Sequence, residues 1–109
     1  MKAWRQPITL AASADGFELR KGTQSMAIAW RDIVRVVAFK RDMMTVDRMC
    51  LAFETADFAI EVDEEMPGYL DFTEAMNRAL SISPEWMLRV MFPAFATNME
   101  TIFERAPVA

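Results

Sequence analysis

The chain has 109 residues, 53% apolar and 26% charged, which suits one domain with one core and is too short for a second. Its formal charge of −4 argues against general nucleic-acid affinity, which needs a basic surface to neutralise phosphates. With no histidine and one cysteine, Ser-His-Asp and Cys-His centres are excluded, as are the usual zinc and transition-metal ligand sets.

Cys50 has no intramolecular disulfide partner; a buried or half-buried strand thiol and a cytoplasmic address are expected. Met1 to Arg5 followed by Ile8 to Ala14 faintly imitates a secretory leader. Thr9 and Ser13 interrupt that short apolar stretch and Pro7 precedes it, so it reads instead as part of the fold. No apolar run approaches the roughly 18–20 residues of a membrane span. Residues 1–48 carry nine basic and five acidic side chains, a balance of +4, and residues 49–109 carry three and eleven, a balance of −8. The two halves should attract, within the fold or across an interface.

In chain order, Ile8 to Ala12 is a first strand, closed by Asp15-Gly16. Phe17 and Leu19 alternate with Glu18 and Arg20 up to Lys21-Gly22-Thr23, and a hairpin follows to Met26, Ile28 and Trp30. Ile33 to Phe39, rich in β-branched residues, is the strongest strand. Lys40 to Asp47 is polar enough to turn. Met49, Leu51 and Phe53 then share one strand face, and after Thr55-Ala56-Asp57 so do Phe58, Ile60 and Val62. Links this short require antiparallel neighbours.

After Pro67-Gly68 the period lengthens. Tyr69, Phe72, Met76 and Leu80 form a helical stripe, with Asp71-Phe72-Thr73-Glu74 available as a capping box. Ser83-Pro84-Glu85 reads as a second helix start carrying Trp86, Met87, Val90 and Met91. Pro93 should break or kink this helix near Phe92, with helical spacing resuming through Phe95, Met99, Ile102 and Phe103, as two short helices or one bent one. The expectation is one α+β domain: a bent antiparallel meander or partial barrel of about six strands over residues 8–63, then helices over 68–81 and 84–105.

The acidic run Glu61 to Glu65 matches no calcium loop and reads as a solvated strand edge. No catalytic group, cofactor or metal site is expected. Arg35, Lys40, Arg41 and Arg48 cluster at the central hairpin and could form a cationic patch for a small anion or acidic peptide, with Met43 and Met44 beside them as adaptable apolar contacts.

The segment Ile28-Ala29-Trp30-Arg31-Asp32-Ile33-Val34-Arg35-Val36, an apolar strand, Trp, Asp-Ile and a β-branched strand, resembles small bacterial domains of the pleckstrin-homology/GRAM-like type. The resemblance covers about residues 8–80 and implies a bent antiparallel sheet closed by a helix, which the stretch from Tyr69 to Leu80 would supply. It also implies binding of a headgroup, peptide or protein.

The tail carries more apolar surface than a capping helix ordinarily buries. A homodimer through Trp86, Met91, Phe95, Met99 and Phe103 is therefore expected. The leading expectation is a non-catalytic interaction module that binds a protein or small anion. The alternatives are an acidic immunity-type or regulatory protein that neutralises a basic partner and, last, a metal-dependent hydrolase.

Overall fold

The structure, a computed structural model, describes residues 8–42, 47–92 and 98–105. Strands β1 (Thr9–Ala12), β2 (Gly16–Lys21) and β3 (Gln24–Ala29) form one antiparallel sheet in the order β1-β2-β3. Gly16 starts β2 where the chain folds tightly: a Cβ there would sit 2.3 Å from the Ile28 carbonyl oxygen. A 3₁₀ turn, Trp30–Asp32, replaces the end of the expected third strand, and the Trp30 Nε1–H donates to the Ser13 carbonyl at 2.9 Å.

The second sheet holds β4 (Arg35–Asp42), β5 (Asp47–Glu54), β6 (Ala59–Asp63) and β7 (Met99–Glu104) in the order β6-β5-β4-β7, antiparallel throughout. The expected α+β class and antiparallel pairing are observed, with seven strands in two sheets among the described residues. β4 runs three residues past Phe39 to Asp42, so Lys40 and Arg41 lie on a strand and not in a loop.

Helix α1 (Tyr69–Leu80) begins one turn earlier than the capping box implies. Gly68 in the left-handed region (φ 90) starts it, and the Thr73 hydroxyl donates to the Leu70 carbonyl at 2.8 Å. Backbone geometry at the glycine therefore sets the helix start, and Asp71 lies within the first turn. Helix α2 (Trp86–Met91) has Glu85 at its N-cap, not Ser83, whose hydroxyl bonds the Glu85 carboxylate at 3.2 Å. The helix stops at Phe92, whose backbone is extended (φ −112, ψ 145), as a residue before proline favours.

The expected helix through residue 105 is not formed. Residues 99–104 pair with β4, and a register shift between Val36 and Val37 leaves Ile102 as the extra residue between Thr101 and Phe103. That bulge puts two adjacent apolar residues, Ile102 and Phe103, against the core and breaks the two-residue period, so the segment imitates a helical stripe. Arg105 ties the end down: its N–H donates to the Val34 carbonyl at 2.9 Å and its Nε to the Ile33 carbonyl at 3.0 Å.

Phe17, Trp30, Phe53 and Phe72 stack where both sheets meet α1, with centroid separations of 4.8 to 5.8 Å among the contacting pairs. Ile33, Val36, Leu51, Val62, Met76, Trp86 and Val90 complete one fully or almost fully buried core. Arg35–Glu54 and Arg41–Glu61 join the basic and acidic halves of the sequence within the fold. No helix among the described residues is long and apolar enough to cross a membrane.

Candidate functional site

Alternation along β4 sends Val36, Ala38 and Lys40 to one face and Arg35, Val37, Phe39 and Arg41 to the other. Both helices lie on the first, inner face: Phe72 of α1 stacks on Phe53, and the Met91 carbonyl of α2 accepts from Lys40 Nζ at 2.6 Å.

Lys40 therefore does not belong to a surface patch. Its side chain is 2% exposed and its ammonium sits 3.4 Å from an Asp47 carboxylate oxygen. Because β4 continues as a strand, position 40 keeps the inward parity of Val36 and Ala38. Arg35 and Arg41 do face outward, each held by two hydrogen bonds to a glutamate. Arg35 bonds Glu54 at 2.9 and 3.1 Å, and Arg41 bonds Glu61 at 2.8 and 3.4 Å. Arg48 stands directly across from Arg41 in the β4–β5 register. Met43 and Met44 lie outside the described residues.

Much of the acidic run is taken up internally. Glu61 holds Arg41, a Glu64 oxygen accepts the Met49 N–H at 2.8 Å, and an Asp63 oxygen accepts the Glu65 N–H at 2.9 Å. No cluster of three metal-ligating side chains is present among the described residues.

On the outer face the strand registers align two rows: Thr101, Val37, Ala52 and Glu61, and beside them Met99, Phe39, Cys50 and Asp63. Val37, Phe39 and Ala52 are half-buried and Met99 is 71% exposed. The Arg41 guanidinium lies over the Phe39 ring, 5.3 Å from its centroid. An apolar centre thus lies between two Arg–Glu pairs. The sequence pointed to Arg35, Arg41 and Arg48, and to Met99 only as part of a tail interface, but missed Val37, Phe39 and Ala52, because only the return of β7 places Met99 beside Phe39.

The tail residues do not form one stripe. Trp86 is fully buried with its indole N–H on the Asn77 side-chain oxygen at 3.0 Å, so it is a core residue unavailable to a second copy. Leu88 and Met91 are exposed on α2, and Phe92 is exposed just after it. Met99 lies on the opposite face of the sheet, and Phe103 is half-buried across from Val36. Phe95 lies outside the described residues. Two outward-packing helices would have aligned these side chains; one short helix and one strand separate them.

Cys50 sits in the outer face yet is fully buried by its neighbours, and desolvation pushes its thiol up to about 11. Well below pH 9, its ordinary value, the thiol stays protonated in both states and exerts no pH effect. Between the two values the unfolded chain loses the proton first, so stability falls as pH rises, by roughly 2 kcal/mol at pH 10.5. Burial raises the Tyr69 phenol as well, in the same direction. Urea denaturation at pH 8 and pH 10.5 should show this decline, and Cys50→Ala should reduce it to the part that Tyr69 contributes. An equal slope in the variant would assign the decline to other groups.

Comparison with known proteins finds no matching family model, no matching curated protein and no matching solved structure.

Proposed function

We propose that the chain is a non-catalytic interaction module that binds a protein through the outer face of the β6-β5-β4-β7 sheet. One observation carries this reading: an apolar centre of Val37, Phe39, Ala52 and Met99, framed by Arg35–Glu54 and Arg41–Glu61, on the face opposite both helices. A small anion is a poorer ligand at Arg35 and Arg41, since each is already held bidentately by a carboxylate that the anion would have to displace. The rims of such surfaces contribute mainly to orientation and association rate, and the centre contributes most of the affinity.

The test compares the native chain with the double variant Val37→Glu/Ala52→Glu as bait in a native lysate. The native chain should retain a partner at micromolar concentration that the double variant loses, while Leu88→Glu on α2 keeps it. Identical retention by native chain and double variant overturns the proposal. Binding should change only a few-fold between about 50 and 500 mM salt, because apolar contacts are not screened. A loss of a hundredfold or more would instead support the acidic, electrostatically steered reading.

A further inference from the structure

A thioether is oxidised where an oxidant can reach its sulfur, so the methionines of one chain differ in susceptibility with exposure. Among the described residues, Met76 is fully buried and Met49 nearly so, while Met66 and Met87 pack partly buried against the core. Met26 on β3 and Met91 on α2 are 47% and 42% exposed. Met99 is 71% exposed, more than any other large apolar side chain described.

Of these methionines, Met99 alone stands on the outer face of the β6-β5-β4-β7 sheet, paired across the ladder with Phe39. Both helices lie on the other face, and neither covers it. Oxidation there changes the surface more than the single added atom suggests. The sulfoxide oxygen is a strong hydrogen-bond acceptor, which water satisfies in the free chain and which an apolar partner strips of that water. Val37, Phe39 and Ala52 offer it no side-chain donor. The Arg41 guanidinium, over the Phe39 ring at 5.3 Å, already holds Glu61 through two hydrogen bonds and would have to release it.

We propose that Met99 is a reversible oxidation site through which peroxide weakens binding at the outer face, an effect that rests on the outer-face reading of the function. The thioether sulfur attacks one oxygen of hydrogen peroxide. An S–O bond forms as the O–O bond breaks, and the departing hydroxide takes the proton of the transferred oxygen and leaves as water. Sulfur loses two electrons and the peroxide gains them. Two thiols of a methionine sulfoxide reductase return the sulfoxide to thioether and water and become a disulfide.

The test has two readouts on the full chain. In dilute hydrogen peroxide, peptide mass spectrometry should show Met99 gaining one oxygen faster than Met26 and Met91, with Met49 and Met76 unmodified while thermal melting shows the chain folded. The partner retained by the native chain and released by Val37→Glu/Ala52→Glu is the probe for binding. Peroxide treatment should weaken its retention about tenfold or more, and the reductase should restore it. Met99→Leu, whatever its own affinity, should lose nothing further in peroxide. Met26 or Met91 oxidised as fast as Met99, retention that survives the Met99 sulfoxide, or an equal peroxide loss in Met99→Leu overturns the proposal and leaves the outer-face reading in place. A partner that Val37→Glu/Ala52→Glu fails to release overturns that reading, and the effect of oxidation on binding with it, whatever the mass spectra show.

Discussion

Phe72→Ala is expected to lower the unfolding free energy by about 4 kcal/mol, the largest effect of any single substitution considered. Phe72 is fully buried in α1 and packs on Phe17 at 5.0 Å, Phe53 at 5.5 Å and Trp30 at 5.8 Å. Its ring joins the helix to both sheets, through Phe17 of one and Phe53 of the other. Truncation leaves a cavity among three rings attached to separate backbones, which can close only by moving one sheet toward the other. Since domains of this size have ~5–15 kcal/mol in total, the variant should be near the limit of folding at 37 °C. Urea denaturation followed by tryptophan fluorescence measures it. A loss under about 1 kcal/mol would show that the cluster is not the junction of the fold.

Gly68→Ala should cost about 3 kcal/mol, though the change adds a single methyl group. Gly68 holds φ at +90, a conformation that L side chains rarely adopt, and its missing Cβ would stand 2.2 Å from the Leu10 carbonyl oxygen. The obstacle is backbone on β1, which cannot rotate aside. Relief requires α1 to lift from β1, straining the neighbouring Leu10 N–H to Pro67 bond. Thermal melting should show the loss, together with faster amide exchange at Leu10. Unchanged melting would mean that the helix start can shift at no cost.

The antiparallel sheet core was legible from residues because its signals are local. Phe17 and Leu19, Met49 to Phe53, and Ile60 and Val62 each repeat with a period of two, and short polar links between them leave antiparallel pairing as the only connection. The stripe of Tyr69, Phe72, Met76 and Leu80 was legible for the same reason at the longer period. Phe92 was readable as a stop because proline constrains the residue before it whatever the tertiary context.

The candidate surface was less legible. Lys40 reads as surface because lysine is seldom buried, yet strand parity carries it inward to the Met91 carbonyl. Arg35 and Arg41 read as free cations, yet Glu54 and Glu61 come opposite them only once the β4–β5–β6 register is set. Trp86 and Met91 lie five residues apart on one short helix, and the fold buries the first while exposing the second.

By itself the sequence determined the class of the protein, α+β, with an antiparallel meander followed by helices. Periodicity, turn residues and composition are properties of neighbouring residues and survive without knowledge of distant ones. Tertiary structure alone decided the path of residues 99–104. Their apolar spacing suits a bulged strand and a helix equally, and the open edge of β4, whose backbone groups needed partners from residues some sixty positions away, selects the strand.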